Sequence, residues 1–567
     1  MKHAPKLLKS GLAGLLLSSV AVSAQAEDSV TFERLANPEP ENWLSVYGNY
    51  QGWRYSELDE INADNVGDLR LAFAAPLSMR GGLGGNLQSA PLADDGFIYT
   101  IDLTGALVKI DTGSGVAATQ LWRVETTPPE QQGRIQGPAL WGDYVYSATR
   151  LGTVIAVERE SGEVAWEVSY GVDGEAFDAS PIALDDSIIV GQARGDWGTR
   201  GYVMAVDPLD GTEQWRFYTV PGPGEFGHDT WPQDNDAWMT GGAGIWIAPT
   251  YDPVNNLIFV GTGNAAPAWD SEFRAGDNLF ASSTVVLDGD TGEIAWYFQY
   301  VPNDAHEKDA VSPHMLYDVE IDGETRQIFG HISRTGYFFR FDRLSGEFLG
   351  AEPAQSVIDW SAGIDPKTGK PVEYNPEVAH QRYAINPEPG EDTVTFCGGL
   401  FLTGTWPPAY DPERQLVYNT SADDSCYTGI RVNWEIAPVE ERFGVQGFGG
   451  PLGLTDRAFR VNATNGATGE IVASADLPIE PHAGVLATAG GVIFFGDSVG
   501  TLAAHDSDTL ERLWSINLGA QMLSPPITYA VGGKQYVAIQ TGGGPTPGGI
   551  LGRPVGPNSS NLWVFAL

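Results

Sequence analysis

Short stretches of alternating apolar and polar residues run along most of the chain, separated by glycine-containing turns. One pattern recurs: an alternating stretch, an acidic or small residue, a Ser/Thr-Gly turn, and then a tryptophan. It is clearest as VKIDTGSGVAATQLW, IAVERESGEVAW, MAVDPLDGTEQW and VVLDGDTGEIAW, which end at Trp122, Trp166, Trp215 and Trp296. Weaker copies surround Gly346, Gly469 and Trp514. Alternation with a period of two, interrupted by glycine turns, predicts short antiparallel strands.

The spacing of these repeats predicts a β-propeller. The first copies lie about 40–50 residues apart, which is the length of a four-stranded blade. Together with the strand-rich stretches YVAIQTGGG and NLWVFAL near the C-terminus, the copies predict an all-β propeller of eight four-stranded antiparallel blades. The tryptophan of each repeat is interpreted as a plug between blades. The irregular stretches 221–240 and 359–395 are expected to form the mouth of a site.

The first 26 residues have the pattern of a secretory signal. Lys2, Lys6 and Lys9 precede the apolar run 12–22, and AQA at 24–26 supplies the small residues of a cleavage site. A membrane anchor is the alternative, but the run is too short to cross about 30 Å of hydrocarbon. No later linker divides the chain, so a single propeller domain is predicted over residues 27–567.

Charge excludes two classes of partner. With 32 Lys+Arg and 73 Asp+Glu the formal net charge is −41, whereas binding to nucleic acid or to an anionic membrane surface requires clustered cations. Hydrophobic residues make up 42% of the chain, enough to form a large core and to argue against disorder.

The two cysteines carry a further prediction. In an oxidising compartment we expect Cys397 and Cys426 to form a disulfide, with two buried free thiols as the alternative. No Cys-x-x-Cys-His sequence occurs, so the chain attaches no c-type haem.

Several longer motifs resemble those of the quinoprotein alcohol dehydrogenases, which include the large subunits of methanol and ethanol dehydrogenases. They are GHDTWPQDNDAWMTGGAGIW, TYDPVNNLIFVGTGNAAPAWD, RAGDNLFASSTVVLDGDTG, PNDAHEKDAV, SRTGYFFRFDR and GVLATAGGVIFFGDSVGTL, in the family's order. The resemblance covers nearly all of the chain after the signal. It implies a periplasmic enzyme that uses pyrroloquinoline quinone (PQQ) with a bound Ca²⁺ or lanthanide ion. It also implies a small alcohol substrate, a separate cytochrome c as electron acceptor and a possible homodimer.

Three positions match residues to which the resemblance assigns a role. Trp246 corresponds to the indole floor beneath the quinone, and Asn264 corresponds to an amide metal ligand. Arg334 corresponds to the cation beside the quinone oxygens, where it would stabilise developing negative charge. A second blade plug at Trp246 and a turn residue at Asn264 are the structural alternatives.

Other positions depart from the family pattern. Asp196 replaces a glutamate metal ligand, Glu307 replaces the catalytic aspartate, and Asp309 matches an extra carboxylate of lanthanide-using members. Because Asp196 is one methylene shorter and Glu307 one longer, the two changes are hypothesised to compensate each other. The resemblance thus implies oxygen ligands from Asp196, Asn264, Glu307 and Asp309 for a hard cation. The alternative is that residues 307–309 form a solvated charged turn.

The positions expected to contact the cofactor are the most altered. Glu, Arg and Thr of the family are replaced by Gln88, Gln136 and Asp178, and the family's adjacent cysteines are missing. Since PQQ carries three carboxylates, the loss of a cation at Gln136 needs a substitute. Arg194 and Arg200 are the candidates, because both lie in the loop of Asp196, and Arg194 lies where the family has a small residue. Arg200, in the same loop, is interpreted as a scaffold residue.

Three functions follow from these observations. The first is a periplasmic PQQ-dependent alcohol dehydrogenase with Glu307 and Arg334 as catalytic residues. The second is a related dehydrogenase for a sugar, polyol or polymeric alcohol. The third is a propeller that has lost its cofactor and serves as a binding or assembly scaffold, which the changes at Gln88, Gln136 and Asp178 would permit.

Overall fold

The strands of this protein follow the repeats read from its sequence. The computed structural model describes residues 29–78, 86–88, 90–126, 134–135, 137–171, 175–321, 323–384, 394–398, 405–423, 426–429, 439–442, 453–454, 458–542 and 559–567, besides Met1. The predicted signal, residues 1–26, therefore lies outside the described residues apart from Met1. In the described part, no helix is long and apolar enough to cross a membrane.

Eight antiparallel sheets form the blades of the propeller. The first five are built from consecutive strands: Leu92–Asp94, Phe97–Ile101, Leu107–Asp111 and Thr119–Val124; Ala139–Trp141, Tyr144–Ala148, Thr153–Glu158 and Val164–Ser169; Ile182–Ala183, Ile188–Gly191, Tyr202–Val206 and Glu213–Tyr218; Thr250–Asp252, Leu257–Gly261, Ser283–Asp288 and Ile294–Gln299; Met315–Ile321, Glu324–Ile332, Tyr337–Asp342 and Phe348–Pro353. The sixth contains Ala409–Asp411, Leu416–Asp423, Ala458–Asn465 and Ile471–Leu477. The seventh contains Leu486–Thr488, Val492–Gly496, Thr501–Asp506 and Arg512–Asn517, with Tyr55–Ser56 added in parallel.

The eighth blade joins the two ends of the chain. Ile527–Val531, Lys534–Thr541 and Asn561–Ala566 come from the C-terminal region, and Arg70–Pro76 pairs antiparallel with Asn561–Ala566 as the fourth strand. The predicted eight blades are confirmed. The ring is closed by hydrogen bonds between early and late residues, so its last blade forms only when both ends are in place.

Short elements lie between and beside the blades. Asn86–Leu87 pairs in parallel with Arg134–Ile135, and Val394–Cys397, Cys426–Gly429 and Gly453–Leu454 form a three-stranded sheet. The described α-helices are Phe32–Ala36 and Val439–Arg442, and the described 3-10 helices are Val66–Asp68, Gly195–Trp197, His228–Thr230, Ala237–Thr240 and Arg382–Ala384. Cys397 and Cys426 form the predicted disulfide, which links two paired strands of the small sheet.

The tryptophans of the four clearest repeats connect neighbouring blades, as predicted. Each of these four indoles donates a hydrogen bond of 3.0–3.1 Å from Nε1 to a carbonyl oxygen in the turn of the next blade. The pairs are Trp122 with Arg159, Trp166 with Pro208, Trp215 with Gly289, and Trp296 with Arg343. A glycine with positive φ in that turn packs on the same ring, and a Cβ on Gly292 would lie 2.5 Å from Trp215. The Ser/Thr-Gly and Trp signals are thus two sides of one inter-blade contact.

Candidate active site

Glu307 is a buried carboxylate held by an indole. It lies in the loop between the fourth and fifth blades, is 2% exposed and has a positive φ of 54°. Its Oε1 accepts a hydrogen bond from Trp269 Nε1 at 3.3 Å. Burial raises the pKa of Glu307 well above its ordinary value, and the charges of Asp196 and Asp309 raise it further, against the opposing effect of Arg334. Two predicted metal ligands therefore lie near enough to Glu307 to influence its charge.

The loop that carries Glu307 is fixed by Asp304. One carboxylate oxygen of Asp304 accepts from the backbone N–H of His306, and the other accepts from the backbone N–H of Lys308 and the hydroxyl of Ser282. An aspartate that binds backbone donors two and four residues ahead forces the chain into a tight turn. The side chain of Glu307 is therefore presented on an ordered loop.

Asp309 connects the other predicted site residues. Its Oδ1 accepts the backbone N–H of Asn264 at 2.7 Å, and its Oδ2 accepts Trp246 Nε1 at 3.2 Å and Arg334 Nη1 at 2.9 Å. The guanidinium carbon of Arg334 lies 5.0 Å from the centroid of the Trp246 ring, and Nε of Arg334 donates to Thr405 Oγ1. Asp309 thus holds the indole of Trp246 and the guanidinium of Arg334 in fixed positions relative to each other.

Asp196 and Asn264 meet beside this group. Asp196 lies in the 3-10 helix Gly195–Trp197, and its Oδ1 accepts a 3.0 Å hydrogen bond from Asn264 Nδ2. Nδ2 also donates to the carbonyl oxygen of Ala265, while no described residue donates to Oδ1 of Asn264. The amide is therefore turned so that its oxygen, the atom that binds a hard cation, is not used within the described chain.

The chemistry of these donors fits a hard cation. Asp196, Glu307 and Asp309 supply carboxylates and Asn264 an amide oxygen, and Arg334 is their cationic partner, so negative charge is in excess. Within the ranges given above, no three His, Cys, Asp or Glu side chains form a ready metal-binding group. The implied metal ligands thus lie close together but do not form a ready binding site. Both carboxylate oxygens of Asp309 already accept hydrogen bonds from Arg334, Trp246 and Asn264.

The alternative of a solvated charged turn at residues 307–309 is wrong. Glu307, Lys308 and Asp309 are 2%, 0% and 4% exposed. Burial lowers the pKa of Lys308 to about 8, and its Nζ donates to Gly398 O at 3.2 Å and lies 4.9 Å from the Trp360 ring. Trp360, which belongs to the stretch 359–395, and Gly398, which follows Cys397, therefore pack against the loop of Glu307.

The residues predicted to contact the cofactor have different surroundings. Asp178 is buried and pairs with Arg150 through a 3.0 Å contact between Oδ1 and Nη1. Burial and the charge of Arg150 lower the pKa of Arg194, while Asp178 raises it, so the three side chains are neighbours. Gln88 follows the strand Asn86–Leu87 and is partly buried, whereas Gln136 lies outside the described residues.

Arg200 is engaged away from this group, which agrees with its interpretation as a scaffold residue. It forms an ion pair with Glu225 and donates to the carbonyl oxygen of Val220, and its guanidinium carbon lies 3.7 Å from the centroid of the Tyr218 ring. Arg200 therefore anchors the beginning of the insertion 221–240.

Several known protein families and relatives are similar to this chain in sequence. Residues 172–351 and 452–537 match the β-propeller domain of glucose/ethanol/alcohol dehydrogenases, and residues 73–168 match the family of outer membrane protein assembly factor BamB. The quinohemoprotein alcohol dehydrogenase ADH IIB of Pseudomonas putida is 30% identical over 608 residues, covering 99% of this chain and 83% of that protein. The quinoprotein alcohol dehydrogenase PedH of Pseudomonas putida KT2440 is also 30% identical, covering 98% and 96%.

The chain belongs to the quinoprotein alcohol dehydrogenase family.

Solved structures agree with this family. A europium-containing methanol dehydrogenase has a TM-score of 0.82 at 25% identity, over 94% of this chain and 100% of that chain. The quinohemoprotein alcohol dehydrogenase ADHIIG of Pseudomonas putida HK5 has a TM-score of 0.83 at 26% identity, over 96% and 83%. The chain is thus similar to alcohol dehydrogenases over nearly its whole length, in sequence and in fold.

Three residues of this quinoprotein alcohol dehydrogenase have contacts near the site that its sequence does not reveal. Trp269 lies in the motif APAWD and contacts Glu307. Lys308 reads in the sequence only as part of a charged turn, and Arg150 lies in a blade turn that carries no motif. Partners of a buried carboxylate come from distant segments, so a single sequence contains no spacing signal for them.

Proposed function

We propose that this protein is a periplasmic PQQ-dependent dehydrogenase that oxidises a small alcohol to a carbonyl compound and passes electrons to a separate cytochrome c. The observation that supports it is the buried carboxylate of Glu307, held by Trp269 beside Asp196 and Asp309. A buried acid with two acidic neighbours is costly unless chemistry or a cation uses it. A scaffold that had abandoned catalysis would have no need to retain it.

Asp196, Asn264 and Glu307 would hold the cation, and Trp246 would lie against the quinone. When bound, PQQ supplies the two-electron acceptor for the hydride of the alcohol carbon, and Ca²⁺ or a lanthanide supplies a Lewis acid. Glu307 accepts the hydroxyl proton on its carboxylate. Its raised pKa makes the ionised form a stronger base, and the charge of Arg334 favours that ionised form.

Arg334 and Asp309 have complementary tasks in this proposal. Arg334 places a positive charge over the face of Trp246, where negative charge on a bound quinone would be stabilised. Asp309 fixes Arg334 and Trp246 by accepting hydrogen bonds from both. The buried loop 304–309 and Trp360 exclude water from the proton acceptor. These residues therefore supply proton transfer, orientation and charge stabilisation from one rigid group.

Reconstitution tests this function. Purified protein with PQQ and either Ca²⁺ or La³⁺ is expected to reduce an artificial dye with members of a panel of alcohols. Omission of the metal after chelation is expected to abolish the rate, because the donor set is all oxygen and carries excess negative charge. A protein that binds neither PQQ nor metal, and reduces no dye with alcohols, sugars or polyols, would contradict the proposal and favour a scaffold.

A further inference from the structure

A second group of charges lies beside the candidate active site and plays no part in the chemistry described above. It consists of Arg150, Asp178 and Arg194, which come from three separate loops. Arg150 lies in the turn between Tyr144–Ala148 and Thr153–Glu158, and its Nη1 contacts Asp178 Oδ1 at 3.0 Å. The side chains of this pair are only 12% and 10% exposed. We call Arg150 and Arg194 the arginine pair, and Asp178 is the acid beside them.

The loops of this group are tied together through their backbones. The N–H of Phe177 donates to Thr149 O at 3.0 Å, and the N–H of Ala193 donates to Ala176 O at 2.8 Å. Residues 149–150, 176–178 and 193–194 are therefore held in fixed relation. The convergence of the three charged side chains is built into the fold and does not depend on long, free side chains meeting at the surface.

The charges do not balance. Two guanidinium groups lie near one carboxylate, that of Asp178, and its ion pair is with Arg150. Nε of both Arg150 and Arg194 is buried without a hydrogen-bond partner in the described structure. The guanidinium carbon of Arg194 lies 5.5 Å from the Trp197 ring, and no ion pair of Arg194 occurs among the described residues. Two positive charges beside one carboxylate leave a surplus of positive charge at a largely buried place, which favours binding of a negatively charged hydrogen-bond acceptor.

The position of the group identifies where such an acceptor would lie. Arg194 precedes the 3-10 helix that carries Asp196, and Ala193 packs against Trp246. The backbones of Gly195 and Gly244 are in close contact, because a Cβ on either would approach the other residue's N atom to about 3 Å. The arginine pair therefore adjoins the indole against which the quinone is proposed to lie.

We infer that Arg150 and Arg194 bind one carboxylate of the polycarboxylate quinone, in competition with the carboxylate of Asp178. The inference rests on the proposed function, since it concerns the anchoring of the same cofactor. A carboxylate would neutralise the surplus positive charge of the two guanidinium groups. The pair would also supply the positive charge that is absent at Gln136.

Binding of PQQ to the cofactor-free protein tests this without turnover. Equilibrium dialysis gives the dissociation constant for wild type, Arg150→Gln and Arg194→Gln, with Arg460→Gln as a matched control. Arg460 is also a partly buried arginine, paired with Asp423 and Asp476 on the sixth blade. Each substitution in the pair is expected to weaken binding roughly tenfold to a hundredfold, and Arg460→Gln to leave it unchanged.

Two further measurements separate binding from folding. Asp178→Asn removes the competing carboxylate while keeping the side chain's size, and is expected to tighten PQQ binding at least about threefold. PQQ with its carboxylates methylated is expected to bind wild type more weakly than PQQ itself, and this difference is expected to shrink in Arg150→Gln and Arg194→Gln.

The outcomes distinguish the two proposals. If wild type binds PQQ but the arginine variants bind it equally well, or if Asp178→Asn binds no more tightly, the carboxylate-binding role is overturned while the proposed function stands. If wild type binds no PQQ at any metal concentration, both the inference and the proposed function fail. Weakened binding by both arginine variants with tightened binding by Asp178→Asn supports the inference.

Discussion

At the residue scale, the site depends on carboxylates with different tasks. Glu307 is buried beside an indole and is proposed to take a proton, whereas both oxygens of Asp309 accept hydrogen bonds from neighbouring groups. Asp309 resembles a metal ligand by its position in the sequence. Its contacts show that it also serves as the partner of the buried charge of Arg334, which is 2% exposed.

This pairing predicts a specific pattern of stability in the cofactor-free protein. Asp309→Ala is expected to lower the free energy of unfolding by about 3–5 kcal/mol, because it leaves the buried guanidinium of Arg334 without its carboxylate. The double variant Asp309→Ala/Arg334→Met is expected to recover a large part of that loss. Chemical denaturation of the two single variants and the double variant measures this coupling. Strictly additive losses would contradict the partnership.

The sequence predicts much of the site at this scale, but not its connections. Trp246, Asn264, Arg334 and Glu307 are recognisable from motifs and do lie in one neighbourhood. The contact of Trp269 with Glu307 is not recognisable, since 38 residues separate the two and only the fold brings them together. The arginine pair is equally hidden, because its members belong to different blade turns.

At the element scale, the decisive feature is the contact between the tryptophan of one blade and the glycine turn of the next. Gly292 has a φ of 69°, and a Cβ there would lie 2.5 Å from Trp215. The repeat signal in the sequence therefore encodes both halves of the contact, which explains why the number of blades was predictable. The closure of the eighth blade by Arg70–Pro76 was not, because that strand carries no repeat signal.

A pair of glycine variants isolates this contact. Gly292→Ala is expected to lower the free energy of unfolding by about 3 kcal/mol, from positive-φ strain and from overpacking against Trp215. Gly533→Ala is the control, because Gly533 has a φ of 80° but nothing within 4 Å of its Cβ position, and about 1 kcal/mol is expected from strain alone. Chemical denaturation gives both values. Equal losses would show that docking against Trp215 adds nothing.

At the scale of the whole molecule, the candidate site accounts for only a small part of the formal net charge of −41. Only a few acids take part in the site, so most of the surplus belongs to the rest of the chain. A negative protein attracts a positive one over distances of about 30 Å at an ionic strength of about 0.01 M, and attraction of this kind raises association rates. The surplus is therefore expected to assist the approach of a basic cytochrome c.

Salt dependence tests this role. The bimolecular rate of electron transfer to a basic cytochrome c is expected to fall severalfold as ionic strength rises from about 0.01 M to 0.15 M, because screening shortens the range of attraction. The rate with an uncharged dye is the control and is expected to stay level. If the two rates respond equally to salt, the charge does not steer the cytochrome.

The central claim is that Glu307 accepts the alcohol proton in a PQQ-dependent oxidation. Stopped-flow absorbance of the bound quinone, after mixing metal-loaded holoenzyme with alcohol, measures this step in a single turnover. Wild type is expected to reduce its quinone, whereas Glu307→Gln is expected to bind PQQ and lose at least about a hundredfold in the rate of reduction. Reduction of the quinone in Glu307→Gln at the wild-type rate would contradict the claim.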